Sequence, residues 1–238
     1  MWRKNPVTMV GTLDRCWLFT FQTPESEAIR LLPDPLRPVT RAGLAFWNIV
    51  VSHVRAMRPK GMPQWLGVSY WHVAYRLYAS FVTPGGETME GLWFARSECD
   101  SRLMALAGNL ATDYRFHTAR ITVDQDDAAV GIEIGSSDAR SSARICRAAE
   151  PALPPCLAFG SIEEAASFLK YKPFGLSVDK RGRVCVVRIV RDESSWRSRA
   201  AHVVWQHWPF IEAKNVRPEV CFEVAPIDYQ WNRGVVYL

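Results

Sequence analysis

Residues 71–82 read WHVAYRLYASFV. Strict alternation puts Trp71, Val73, Tyr75, Leu77, Ala79 and Phe81 on one side of an extended chain. His72, Ala74, Arg76, Tyr78 and Ser80 fall on the other. The first side is apolar throughout and makes a core face. The second carries histidine, arginine and tyrosine. On pattern alone it is expected to be wetted, because antiparallel sheets commonly leave one side to solvent. The alternative is that it lines a cavity.

Working outward, residues 43–54, 91–99, 116–123, 130–134, 183–190, 220–224 and 234–237 are also rich in aromatic and β-branched side chains, and they read as strands. Turn chemistry separates several of them, at Pro84-Gly85-Gly86, at residues 124–127 (DQDD) and at residues 179–182 (DKRG). Connections this short make antiparallel hairpins, since a parallel pair needs a long crossover. Three helices are signalled. Thr23-Pro24 before ESEAIRLL is an N-cap with proline at the first helical position. Ser161 with Glu164 is a capping box. A third helix starts at Asp100 or Ser101, with Leu103, Met104, Ala107 and Leu110 as its expected buried stripe. Many strands and few helices predict an α+β domain with a curved antiparallel or barrel-like sheet and helices at its edge.

The 238 residues, 48% hydrophobic and 12% aromatic, suffice for one domain spanning 1–238. Residues 151–155 (PALPP) are read as a surface connection within it. The net charge of +5 is scattered among acidic residues and forms no basic block, so no nucleic-acid partner is expected. Six cysteines without a C-x-x-C pair read as buried small hydrophobes in a reducing compartment. No apolar run is long enough to span a membrane, and residues 1–15 lack a signal-peptide core. A cytoplasmic chain is therefore expected. The five histidines show no metal-ligand spacing, and no G-x-S-x-G elbow is present; neither a metal nor another cofactor is expected. Most tryptophans read as core, with Trp47 and Trp93 as possible pocket walls.

A collinear series of segments carries a resemblance. It comprises LLPDPLRPV (31–39), AFWNIVVSHVRAM (45–57), the strand around Tyr75-Arg76-Leu77-Tyr78, GLWFARSECDSRLMALAGNL (91–110), RFHTARI (115–121), SFLKYKPFGL (167–176) and VVWQHWPFIEA (203–213). Together they resemble the YqjF-like domain of unknown function, placed in the acetoacetate decarboxylase-like superfamily. The resemblance implies a curved, barrel-like antiparallel sheet around an enclosed pocket. It also implies where a Schiff-base lysine would stand, namely the stretch Tyr114-Arg115-Phe116-His117. That stretch holds no lysine; the nearest in sequence are Lys60 and Lys170. An active-site glutamate usual on the 71–82 strand is absent too, with His72 near its place and Ala74 where relatives often carry asparagine.

The candidate site is then His72, Arg76 and Tyr78 on one strand with Arg115 and His117 on another. Guanidinium forks suit a carboxylate or phosphate, and imidazole suits acid–base work near neutral pH. The leading expectation is a protein that binds a small anionic metabolite in an internal pocket without lysine Schiff-base decarboxylation. Two alternatives stand beside it. One is an enzyme of different chemistry (lyase, hydratase or isomerase) using His and Arg on the same scaffold. The other is an interaction module, with homo-oligomer formation as its expression.

Overall fold

The computed structural model describes residues 4–147, 149 and 158–237. The expectation for residues 151–155 lies outside these. The chain opens with strand β1 (Met9–Pro24) and helix α1 (Glu25–Leu31). Two short bridges follow, β2 (Arg37–Pro38) and β3 (Thr40–Arg41), then three long strands: β4 (Leu44–Pro59), β5 (Val68–Val82) and β6 (Thr88–Cys99). After helix α2 (Arg102–Ala111) come β7 (Phe116–Thr118), β8 (Arg120–Gln125), β9 (Ala129–Gly135) and β10 (Arg140–Cys146). Helix α3 (Ile162–Leu169) leads to β11 (Phe174–Val178), β12 (Val184–Arg191) and β13 (Ser198–His207). The short helix α4 (Pro209–Glu212) precedes β14 (Arg217–Val224), β15 (Ile227–Trp231) and β16 (Val235–Tyr237).

The pairing closes on itself. β1 pairs with β4, β4 with β5, β5 with β6, β6 with β11, β11 with β12, β12 with β15, and β15 returns to β1. The length of β1 makes this possible. Its first half, Met9–Leu13, pairs with β15, and its second half, from Cys16, pairs with β14. β14, β13, β10, β9 and β8 then continue as a second wing of the sheet. The expected antiparallel sheet is thus mostly antiparallel but mixed, since β6 pairs in parallel with both β7 and β11. Helix α2 lies in the crossover between β6 and β7, and it supplies the length that a parallel pair needs.

Both faces of β5 are covered. Val73, Tyr75, Leu77 and Ala79 join a core shared with Ile132, Ile134 and Ile145 of the second wing. Tyr70, Ala74 and Tyr78 join another, drawn from β1, β4, β6, β12 and β15. The second face of β5 is therefore mostly buried, with His72 and Ser80 half-buried, because ring closure turns it inward.

The helices begin close to where their caps predict. Ser101 Oγ accepts from Met104 N at 3.3 Å, and Ser161 Oγ accepts from Glu164 N at 3.1 Å. The capping box at Ser161 is only half formed, since Glu164 accepts from Gly160 N and pairs with Arg41 instead. At α1 the cap differs. β1 runs on to Pro24, and the Thr23 hydroxyl is directed to the carbonyls of Lys214 and Asn215. The stripe expected on α2 is also corrected. Ala105 is its buried residue, whereas Leu103, Leu106 and Leu110 are exposed. The helix is turned so that Met104, Gly108 and Ala111 face a cavity at the ring. Close approach decides this orientation: a Cβ on Gly108 would stand 2.5 Å from the Phe116 ring.

Candidate functional site

The inward positions of β5 follow from its alternation: Tyr70, His72, Ala74, Arg76 and Tyr78. Arg76 is 6% exposed. Its Nε donates to Asn48 Oδ1 at 2.8 Å, directly across from it on β4. Asn48 Nδ2 donates to the Tyr78 hydroxyl at 3.0 Å, and Tyr78 donates in turn to the Leu169 carbonyl at 2.5 Å. The hydroxyl of Tyr78 is therefore spent on the fold; burial holds its pKa up at about 12. The guanidinium carbon of Arg76 lies 5.6 Å from the centroid of the Phe94 ring. Burial lowers its pKa to about 10, so it stays charged at neutral pH. Among the described residues no carboxylate pairs with it.

A second arginine shares this interior. Arg191 ends β12, which does not pair with β5, yet the two charges act on each other across the ring. Its guanidinium sits 3.9 Å from the centroid of the Tyr171 ring, and burial pulls its pKa down. Its Nε and Nη1 are buried and have no hydrogen-bond partner among the described residues. Cys16 of β1 faces both arginines; burial raises its thiol to about 12 although they draw it down. It is a neutral wall of the site, not a thiolate.

Beside this cluster lies a cavity of about 250 Å³, bounded by the ring, by α2 and by residues 5–7. Tyr70, His72, Phe94, Tyr114, Phe116, Tyr229 and Trp231 make an aromatic lining, with Met9, Met57 and Met104 between them. His72 stacks on Phe116 with centroids 5.4 Å apart, and its Nε2 is buried without a partner. Burial, reinforced by the positive charge of Arg76, lowers its pKa to about 3, so the ring is neutral at physiological pH. Gly175 of β11 keeps the ring open here: a Cβ there would meet the Tyr114 hydroxyl at 3.0 Å and the Trp231 ring at 3.2 Å.

His72, Arg76 and Tyr78 share the ring interior, though of the five candidates only His72 lines the cavity, and Arg115 and His117 lie outside it. In the stretch 114–117, Tyr114 and Phe116 turn inward while Arg115, in a left-handed turn at φ 53°, and His117 are exposed. Aromatic rings thus fill the place where a lysine was sought. Among the described residues no lysine lines the cavity. Lys172 comes within 6.0 Å of the Tyr78 ring centroid, but it pairs with Glu90 at 3.2 Å. Of the two tryptophans singled out, neither lines this cavity; Trp47 is fully buried in the outer core, and Trp93 is buried beneath Arg115. Sequence reading missed Asn48, Arg191 and Cys16. Asn48 carried a signal, as the lone polar side chain within AFWNIVV (45–51).

This geometry can be set beside known proteins. The profile of DUF2071, described as an uncharacterized conserved protein, matches residues 12–227. The chain belongs to the DUF2071 family. No curated protein matches the DUF2071 chain by sequence. Solved structures match its fold. An acetoacetate decarboxylase-like enzyme from Sphingomonas wittichii RW1 superposes with TM-score 0.61 at 13% identity, covering 99% of this chain and 95% of that one. Acetoacetate decarboxylase from Legionella pneumophila gives 0.62 at 11% identity, with 100% and 91% covered. The enduracididine biosynthesis enzyme MppR, complexed with the condensation product of pyruvate and imidazole 4-carboxaldehyde, gives 0.62 at 10% identity, with 98% and 90% covered. At these identities the likeness shows the fold: DUF2071 shares the acetoacetate decarboxylase-like architecture. Among the described residues, no helix is long and apolar enough to cross a membrane.

Proposed function

We propose that this DUF2071 protein binds a small anionic metabolite with an apolar body inside the strand ring, and that it does so without a lysine Schiff base. The observation that carries the reading is Arg76, a buried guanidinium with an amide for a partner and no carboxylate. A buried charge is costly unless it is paired. Here Arg191, which Glu193 compensates in part, brings a second positive charge. A carboxylate reaching this interior would supply the missing counter-charge, with charge-assisted hydrogen bonds stronger than neutral ones. The aromatic and methionine walls of the neighbouring cavity suit the rest of such a ligand. Neutral His72, with Nε2 unpartnered, offers one polar contact within that wall. Ligands named for a structural neighbour of the same fold include pyruvate, a carboxylate of the class proposed here.

Isothermal titration with pyruvate, acetoacetate and phenylpyruvate tests this. Saturable binding is expected for at least the aromatic acid, and it should be lost in Arg76→Met. Equal binding to the wild type and that variant would overturn the reading, as would no binding of any of the three acids.

A further inference from the structure

Strands β13 and β14 pair only over Ser198–Ala201 against Cys221–Val224. Beyond Ala201, β13 leans away to pair with β10, from His202 to His207. β14 continues instead along β1, where Pro218 faces Phe21 and Arg217 faces Gln22. The two strands part, and the gap is a cleft of about 290 Å³ whose walls include Phe19, His202, Trp205, Gln206 and Glu219.

Glu219 is 6% exposed. Its Oε1 accepts from Ala158 N at 3.4 Å, and its Oε2 is buried with no partner. Four residues further along the same strand, Glu223 is met by both Arg147 and Arg199. Buried Glu98 is likewise met by Arg96. Glu219 has no such cation among the described residues; burial pushes its carboxyl up to about 6, and no neighbouring positive charge draws it back down. At neutral pH it is still mostly ionised and lacks counter-charge.

We infer that this cleft is a second binding site, for a small organic cation such as a primary amine on a short apolar body. The unpartnered Oε2 asks for an N–H donor, and a charged donor makes the stronger bond. Trp205, 48% exposed, gives an aromatic face to the same cleft and a surface that attracts cations. Phe19 provides an apolar floor. No group of three or more His, Cys, Asp or Glu among the described residues is disposed to hold a metal ion, which favours an organic cation. The site is distinct from the ring cavity: the two share no lining residue, and this one selects the opposite charge.

Ligand-observed NMR titration with benzylamine tests the site, with benzoate as a comparator of the same shape and opposite charge. Benzylamine is expected to bind the wild type, and Glu219→Gln to weaken it about tenfold or more, as loss of a charge-assisted hydrogen bond predicts. Trp205→Ala, at the exposed wall, should weaken it too, and it serves as the deciding variant if Glu219→Gln does not fold. Arg76→Met should leave benzylamine binding unchanged, which separates this site from the one in the ring. Absence of benzylamine binding, equal affinity in the folded Glu219→Gln protein, or displacement of benzylamine by benzoate would overturn the assignment.

Discussion

Arg76 donates to Asn48 Oδ1 at 2.8 Å across the β4–β5 pair, its one hydrogen bond among the described residues. The bond fixes where the guanidinium sits without neutralising it. Asn48 is itself held by Tyr78, and Tyr78 by the Leu169 carbonyl at the end of α3. A chain of buried polar groups thus anchors one arginine beside another. Such an arrangement costs stability, and under the proposed reading a bound anion offsets that cost.

That cost can be measured. Arg76→Met removes the buried charge while keeping an unbranched side chain of similar reach. The ligand-free variant should stay within about 1 kcal/mol of the wild type, or roughly 2–4 °C in Tm for a chain this long, because relief of the unpaired charge offsets the Asn48 Oδ1 left without a donor. Phenylpyruvate should raise the wild-type Tm in proportion to its occupancy and leave the variant where it was. Differential scanning fluorimetry with and without the acid checks both halves. A variant that loses several degrees without ligand would show that Arg76 is structural.

The neutral state of His72 gives a pH signature. Its folded pKa of about 3 lies below the ordinary value of 6.5, mainly through burial and then through Arg76. Between those pH values the unfolded chain binds a proton that the folded chain refuses. Stability therefore falls as pH drops from 6.5 towards 3, by at most about 1.4 kcal/mol per unit from this residue. Above pH 6.5 the group contributes no slope. His72→Phe should flatten the difference between urea unfolding at pH 6.5 and at pH 4.5. An unchanged slope would show that the imidazole is hydrated in the folded protein.

The way α2 sits on the ring depends on one missing Cβ. Gly108→Ala would put a methyl 2.5 Å from the Phe116 ring, which is itself stacked on His72. The helix or the ring must move, at an expected cost of about 1–3 kcal/mol. Phe116→Leu in the same protein should recover part of that loss, because the clash is with the aromatic edge. A double-mutant cycle by chemical denaturation measures the coupling. Additive effects would mean that α2 and Phe116 are not in contact.

How much of this was legible in the chain varies by element. The alternation from Trp71 to Val82 gave β5 and its inward set correctly, yet it could not say whether His72 and Arg76 met water. That depends on β1 pairing with β15, whose five residues lie more than two hundred positions later. Arg191 was silent for the same reason, since its strand reaches β5 only through space. β1 gives little signal: MVGTLDRCWLF alternates poorly because a bulge at Asp14 adds a residue to the strand. Arg115 and His117 were misplaced by proximity to a motif. In a three-residue strand one step of alternation decides which side chains turn inward, and here Phe116 does. The leucines of α2 form a stripe that a helix ordinarily buries, yet close packing at Gly108 turns them out to solvent.

The outer core holds a charge network that differs from the ring interior in being paired. Arg96 meets Glu98 and Asp138, each at 2.7 Å, and Glu98 also accepts from the Tyr75 hydroxyl at 3.2 Å. Glu98 is buried while Asp138 is half exposed. Glu98→Leu should therefore cost about 3 kcal/mol, since it removes the buried counter-charge and the acceptor of Arg96 Nε, leaving Arg96 to the half-exposed Asp138 and Tyr75 to Ser141. Asp138→Asn should cost less than about 1 kcal/mol, because water can replace an exposed carboxylate. Comparable losses from the two substitutions would mean that the network is evenly wetted.

Schiff-base chemistry needs an unprotonated amine within reach of the bound carbonyl. Tyr114 and Phe116 present rings where the lysine would stand, and arginine cannot take its part, because the guanidinium stays protonated. Lys172 is the lysine that comes near Tyr78, but its Nζ is engaged by Glu90 and lies 5.0 Å from the Phe168 ring centroid. Incubation with acetoacetate or pyruvate and sodium borohydride should therefore leave the intact mass unchanged. Glu90→Gln frees Lys172 from its ion pair and provides the harder test. If the ring interior is as closed to lysine as its lining indicates, that variant too should stay unmodified. A reduced adduct mapped to Lys172 in either protein would show that the interior admits an amine and would reopen decarboxylase chemistry for this chain.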